Sequence, residues 1–396
     1  MSFFTFSSYR FSLYTASLYT ASLFVLSLIL LQGCTPSAPV ISKISGPTMG
    51  TEYHISWVSS QQRQNDLAAE KQKIKAEIDS ILVAINKSMS TYDPTSELSL
   101  INASASFDAT TETANQAELD SDQIKELPLP LITEWQPISA GLYQVLMMSM
   151  QVGIKSAGAF DVTIGPLVNL WGFGPQNRID KAPADKDIAA ALAKVGASAI
   201  NIRQKDNAYQ LKLSAPRYID LSAIAKGYAV DVIAHYLKTQ NIHGFLVEVG
   251  GEIAAYGTKT SVSASDDSGP TWRVAIEAPN DTERNAQLII PLSNMAIATS
   301  GDYRNYFEDK GQRYSHTIDG RSGYPIVHNL ASVSVLHESS AIADAWATAL
   351  SVLGAEQGLK IAEEHNLAAL FIQRTSGGFE QSASNKFKQL ERNFYE

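Results

Sequence analysis

The chain is predicted to be α+β, with mixed sheets packed against helices in a single large domain behind a cleaved leader. Three observations predict it. Strand-like and helix-like segments interleave without a regular βαβ alternation. Tyr53, Ile55 and Trp57 alternate along the chain, the period of a half-buried strand. Leu67, Ile74, Ile78, Ile81, Leu82 and Ile85 recur at the helical period, the stripe of an amphipathic helix.

Residues 1–33 are set apart as a lipoprotein signal peptide. No charge occurs from Phe11 to Ser42, and Arg10 precedes that run. Leu23 to Leu31 is apolar, too short for a comfortable membrane span, and Gln32-Gly33-Cys34 follows as a cleavage site. Leu31-Gln-Gly-Cys34 resembles a bacterial lipobox, which implies lipid attachment at Cys34. Cys34 is the one cysteine of the chain, so no intramolecular disulfide and no cysteine metal site exist. Thr35 follows where an aspartate would favour inner-membrane retention, so the outer-membrane leaflet, facing the periplasm, is preferred. Residues 34–43, with Pro36 and Pro39, form a tether. The domain is expected over 44–375, with a tail over 376–396.

Within the domain a strand pair is expected from Val40 to Val58, turning at Gly46-Pro47. A helix is expected from about Asn65 to Met89, then a turn-rich loop over Tyr92–Glu97. Residues 103–134 are rich in small and acidic residues and read as an exposed insertion. Ser139 is placed to cap a helix running to Ser156. A helix is expected over Asp185–Val195, strands over Tyr209–Leu213 and Tyr218–Leu221, and a helix from near Ala223 to Lys238. Phe245–Val249 reads as a strand ending at Gly250-Gly251. Further strands are expected near Trp272–Glu277, Leu288–Pro291, Ser332–Leu336 and Ala369–Gln373. Helices are expected over Ala341–Leu353 and Glu356–His365.

The net charge is −9, and seven acids against Lys125 in the insertion supply most of it. The acidity is therefore local. No basic stripe is present, which excludes nucleic acid as a partner.

Chemistry concentrates between Ala296 and Leu353. Asp344 and Thr348 are four apart in a predicted helix, so their oxygens share a face. A carboxylate and a hydroxyl are hard ligands suited to magnesium. The surrounding helix is otherwise small and apolar, and a carboxylate there needs a partner. His316 lies in the same polar stretch as Thr299, Ser300, Gly301 and Asp302. Ile219 to Gly227 joins a strand to a helix and reads equally as a turn capped by Asp220 or Ser222 or as a helix N-terminus that suits phosphate, with Lys226 adding a charge. Gly158-Ala-Phe-Asp161 and Trp171-Gly-Phe-Gly174 read first as turns with core aromatics, and otherwise as glycines with rings able to stack on a flat heterocycle. Gly250-Gly251-Glu252 reads as a tight bend. Neither a dinucleotide fingerprint nor a P-loop is present.

Eight pieces occur in one order: Met49-Gly-Thr51, Ser90-Thr-Tyr-Asp-Pro94, Gly158-Ala-Phe-Asp161, Asp220-Leu-Ser-Ala-Ile-Ala-Lys-Gly227, Gly250-Gly251, Ala298-Thr-Ser-Gly301, His316-Thr-Ile-Asp319 and Ala343-Asp-Ala-Trp-Ala-Thr348. Together they resemble the ApbE family of FAD:protein FMN transferases, over about Ile44 to Phe371. The resemblance implies a magnesium-dependent enzyme. It would split the pyrophosphate of FAD, join FMN through its phosphate to a threonine or serine hydroxyl of a target protein, and release AMP. It implies magnesium ligands at Asp344, Thr348 and the backbone carbonyl of Ala223. It implies FAD contacts at Met49, Tyr92, Ala159, Phe160, Asp161, Asp220 and Lys226. His316 matches a histidine of the transfer step, where it orients or deprotonates the acceptor hydroxyl or contacts phosphate. The chain departs from the pattern at Gly320 and Ser322, where proline and threonine are usual, which loosens the turn after His316. Two rival functions remain. One is an FAD pyrophosphatase giving FMN and AMP, and the other a non-catalytic FAD-binding lipoprotein. The expected partners are FAD, acceptor subunits carrying the target hydroxyl, and a membrane reached through the lipid.

Overall fold

Two residues of left-handed backbone, Met49 (φ 48°) and Gly50 (φ 72°), turn the chain between its first two strands. These are β1 (Val40–Thr48) and β2 (Thr51–Ser59). A two-residue loop with positive φ at both positions carries the twist that antiparallel strands need. The turn expected at Gly46-Pro47 is therefore displaced. Gly46 lies inside β1, where a Cβ would stand 2.9 Å from the Tyr53 ring, so that glycine serves close packing. The protein is described by a computed structural model over residues 40–59, 67–103, 131–175, 179, 181–263, 269–279, 286–302 and 305–394. The leader, Cys34 and residues 104–130 of the acidic insertion lie outside the described residues. Among those described, no helix is long and apolar enough to cross a membrane.

The chain continues through α1 (Leu67–Met89), α2 (Glu97–Ala103), β3 (Gln136–Ile138), α3 (Ala140–Lys155), α4 (Gly165–Leu170) and α5 (Asp185–Leu192). Then come β4 (Ile200–Lys205), β5 (Ala208–Leu213), α6 (Ala225–Thr239), β6 (Phe245–Val249), β7 (Glu252–Tyr256), β8 (Trp272–Glu277) and β9 (Ala286–Leu292). The rest is β10 (Met295–Gly301), β11 (Tyr306–Asp309), β12 (Gln312–Ser315), β13 (Leu330–His337), α7 (Ser340–Glu364), β14 (Ala368–Thr375), β15 (Gly378–Ala383) and α8 (Asn385–Asn393). Ser139 caps α3 as expected, its hydroxyl accepting from Leu142 N–H.

Eight strands form the main sheet in the order β1-β2-β6-β7-β10-β13-β14-β15. Alternation sends Tyr53, Ile55 and Trp57 of β2 to one face, where α1, α6 and α7 complete the principal core. Each large side chain buried there stabilises the fold by roughly 1.5–3 kcal/mol. On the other face, Trp272, Val274 and Ile276 of the β8–β9 hairpin and Phe387 of α8 meet Ile297, Leu336 and Ile372. A third cluster gathers Leu167, Trp171 and Ile188 under Phe307 and Tyr314 of the β11–β12 hairpin.

Two further expectations are corrected. Residues 218–221 form no strand. The backbone of Ile219 is bonded at both its N–H and its carbonyl to the Asn102 side chain, at 2.8 Å each, and Asp220 N–H donates to Val162 O at 2.7 Å. Residues 376–396, read as a tail, hold β15 and α8, which pair with and pack on β14. The two helices expected over Ala341–Leu353 and Glu356–His365 are observed: Gly354 (φ 76°, ψ 174°) leaves helical backbone and kinks α7 between them. The His328 ring fills the space at that glycine, and its Nε2–H donates to Ser351 O at 2.9 Å.

Candidate active site

Sheet register brings three glycine-bearing features to one end. Tyr53 faces Val249, so the Met49-Gly50 and Gly250-Gly251 turns are neighbours, and Gly250 N–H donates to Glu52 O at 3.0 Å. Ile253 faces Ile297, so β10 runs past Gly251 to end at Gly301. A Cβ at Gly250 would stand 2.7 Å from Thr51 and 3.1 Å from the Lys226 side chain, so α6 begins at the same end.

The α6 N-terminus is shaped by local hydrogen bonds. Asp220 accepts from Ser222 N–H at 2.9 Å and Ser222 Oγ at 2.6 Å. The amide that would close the first turn onto Ala223 O is that of Gly227. It points instead to Asp344 Oδ2 at 3.2 Å. Among the described residues no backbone N–H reaches the Ala223 carbonyl. Gly227 also permits this approach: a Cβ there would lie 2.4 Å from Ser340 O, so α6 and α7 touch backbone to backbone. Asp231 then accepts from Ser339 Oγ and from the amides of Ser340 and Ala341, locking the start of α7 to α6.

Asp344 is buried, and Thr348 is half-buried one turn further along α7. The Gly227 bond is the one hydrogen bond to the Asp344 side chain among the described residues, and no cation pairs with it within 4 Å. A carboxylate, a hydroxyl and an unclaimed carbonyl are the donor chemistry of magnesium. The residues present therefore fit that ion. No three His, Cys, Asp or Glu side chains converge at this site or anywhere else among the described residues.

Lys226 is held at 2.5 Å by Glu252 Oε1. Burial works against its ammonium, but Asp344 and Glu252 outweigh that and hold it above the usual lysine range. Burial pushes the Glu252 carboxyl upward against the pull of Lys226.

His316 is half-buried, edge-on to Phe173 at 6.3 Å. Its Nδ1 lies 3.1 Å from Asn305 O, which makes Nδ1 the protonated nitrogen and leaves Nε2 as the acceptor. Burial lowers its pKa, opposed by the Asn305 carbonyl and Asp302, while Lys226 lowers it further. Burial therefore favours the neutral imidazole, with Lys226 within electrostatic reach. Asp302 is occupied by Arg374, at 2.7 and 3.1 Å. The loop after His316 is pinned despite Gly320: Asp319 N–H donates to Tyr324 O, and Gly323 N–H donates to Asp319 O.

The remaining predicted residues divide. Ala159 and Phe160 are buried in the principal core. Asp161 accepts from Thr163 N–H, Thr163 Oγ1 and Ala197 N–H, so its carboxylate latches loops together. Its Cβ side abuts Gly320, which places this turn against the loop after His316. Met49 packs on the core while its backbone takes the turn. Tyr92 is 65% exposed.

Residues 49–371 match the sequence model of the ApbE family. The chain belongs to the ApbE family. It is 39% identical over 362 residues to an FAD:protein FMN transferase of Haemophilus influenzae, covering 91% of this chain and 94% of that relative. It is 40% identical over 361 residues to the FAD:protein FMN transferase of Vibrio cholerae, with 91% and 95% covered. Among solved structures, the flavin transferase ApbE from Vibrio cholerae superposes with a TM-score of 0.71 at 37% identity, covering 89% of this chain and 99% of that one. The apo form of the Pseudomonas stutzeri flavinyl transferase ApbE gives 0.72 at 36%, covering 90% and 98%.

The ApbE match includes every candidate residue from Met49 to Thr348 and stops before β15 and α8. Two residues of this ApbE site escaped the sequence reading. Tyr218 lies against Gly165 and is pushed up to about 12 by burial, then by Asp220, with Asn169 and Asn102 opposing that rise. Glu252 follows the diglycine bend, and its one signal was an acid opening an otherwise apolar strand. Two cavities, of about 270 and 260 Å³, are lined by other residues, around Lys238 with Tyr256 and around Trp346 with His365.

Proposed function

We infer that this ApbE-family chain moves FMN from FAD onto a target protein. The observation that carries the reading is the diverted Gly227 amide. It leaves the Ala223 carbonyl unclaimed beside a buried, nearly unpartnered Asp344. Ala223, Asp344 and Thr348 would hold Mg2+, which when bound neutralises charge on the pyrophosphate oxygens. The acceptor is a threonine or serine hydroxyl. Its oxygen forms the new bond to the FMN phosphorus, the bond from that phosphorus to the AMP oxygen breaks, and AMP leaves with the electron pair. His316 Nε2, neutral and unbonded, takes the hydroxyl proton. Lys226 supplies a positive charge at the α6 N-terminus, where anionic phosphate is favoured. Asp220 shapes that N-terminus, and Asn102 fixes it from α2.

The test uses purified full chain, FAD, Mg2+ and a candidate acceptor domain. Acceptor mass rising by one FMN supports transfer. FMN and AMP with an unlabelled acceptor makes water the acceptor and the chain an FAD pyrophosphatase. FAD binding with neither product sinks both.

We further infer that the chain works on the periplasmic side of a bacterial membrane, anchored by lipid on Cys34. What supports this is Leu31-Gln-Gly-Cys34 in a chain with no other cysteine. Cys34→Ser should move the protein from the membrane to the soluble fraction; unchanged fractionation removes the anchor.

A further inference from the structure

Glu252 lies in the main sheet, one residue past the Gly250-Gly251 bend, with its side chain 5% exposed. One carboxyl oxygen holds Lys226 at 2.5 Å, and the other, Oε2, is buried with no partner. Gly227, the residue after Lys226, donates its amide to Asp344 Oδ2 at 3.2 Å, which sets that aspartate beside the lysine. Three ionisable groups thus share one buried region, and the single ammonium is bonded to Glu252, with no Lys226–Asp344 contact within 4 Å. That choice matters, because a lysine bonded to Asp344 would occupy the oxygens that a cation needs. The ammonium, on a side chain 29% exposed, takes the nearest alternative acid when its carboxylate is removed, because its flexible stem can follow the charge.

We propose that Glu252 is a positioning residue that keeps Lys226 off Asp344 and so keeps the Asp344 oxygens open to Mg2+. The inference rests on the Mg2+ reading of Asp344, Thr348 and Ala223. Backbone geometry supports the same arrangement. The bend fixes Glu252 in the sheet through β6 and β7, whereas Lys226 reaches it on a flexible stem past Gly250. The rigid partner therefore decides where the mobile charge rests. The unpartnered Oε2 adds a site for a proton donor, such as a water on the bound ion.

The experiment is calorimetric titration of the full chain with Mg2+, FAD absent, so that no turnover enters the measurement. Asp344→Asn comes first and should abolish Mg2+ binding. If it leaves binding unchanged, the Mg2+ reading fails, and this proposal with it. Glu252→Gln, which keeps size and hydrogen-bonding capacity, should weaken Mg2+ binding by about tenfold or more. Adding Lys226→Met to Glu252→Gln should restore binding to that of Lys226→Met alone, because the competing ammonium is gone. Near-UV circular dichroism confirms that each variant is folded, so that a loss in Glu252→Gln recovered in the double variant reads the ammonium and not unfolding. Wild-type affinity in Glu252→Gln, or no recovery on removing Lys226, overturns the proposal while leaving the Mg2+ site standing.

Discussion

Asp161 and Asp344 are both aspartates taken from recognisable sequence pieces, and the structure treats them in opposite ways. Asp161 accepts three hydrogen bonds, two of them from Thr163 and one from Ala197. Asp344 is buried on α7 with one amide at 3.2 Å. A carboxylate whose lone pairs are spent holds a loop. A buried carboxylate with lone pairs to spare is costly in the resting fold and waits for a cation. The difference separates a carboxylate spent on structure from one left open to a ligand, which residue type alone does not do.

The sharpest way to break this comparison is Asp344→Ala. Turnover with FAD, Mg2+ and acceptor should fall about a thousandfold or more, since charge stabilisation by a metal is worth several kcal/mol. The thermal midpoint of the Mg2+-free protein should hold, because a poorly satisfied buried carboxylate contributes little there. Full activity would remove Asp344 from the ligand set.

His316→Ala should cost about a hundredfold in transfer, the low end of general-base effects. His316 also carries a pH signature. Burial lowers its folded pKa, so the unfolded chain binds the extra proton first as pH drops. Stability is therefore full above the ordinary histidine value of about 6.5 and declines as pH falls from there toward the lower folded value. Denaturant midpoints measured across that window should fall less steeply in His316→Gln than in wild type. Equal slopes would mean that other groups set the acid limb.

Asp161→Asn sharpens the other side. It should lower stability by about 1–3 kcal/mol through its loop bonds, with transfer reduced less than tenfold. A thousandfold activity loss at unchanged stability would move Asp161 into direct ligand contact. Gly227→Ala tests the contact between the two helices. Its Cβ would lie 2.4 Å from Ser340 O, so the denaturant midpoint should reflect a loss of about 1–3 kcal/mol from overpacking.

The mixed α+β class, the long amphipathic helices and the Ser139 cap were readable from period and capping chemistry alone. The first hairpin turn was not. Its two left-handed residues are Met49 and Gly50, and methionine carries no turn signal, whereas Gly46-Pro47 carries a strong one that packing against Tyr53 redirects. Residues 218–221 looked like a strand because their apolar residues alternate, but a side chain on α2, distant in sequence, claims the backbone of Ile219. The flavin chemistry came from the ordered motifs and the ApbE relatives. The reason Ala223 suits a ligand role came from one diverted amide, which no sequence pattern encodes. Glu252 and Tyr218 matter through partners far along the chain, Lys226, Asn102 and Asn169. Such partners are set by tertiary packing rather than local spacing.

The pairing of β15 and α8 onto β14 has a practical corollary for anyone handling this protein. β14 carries Leu370, Phe371 and Ile372, all buried, and β15 occupies its outer edge while Phe387 seals one face. A version trimmed at residue 375 would expose that strand as an open, sticky template for pairing with other chains. It should precipitate or form inclusion bodies before any flavin assay could be run, so purification tags and fusions belong at the other terminus of the domain.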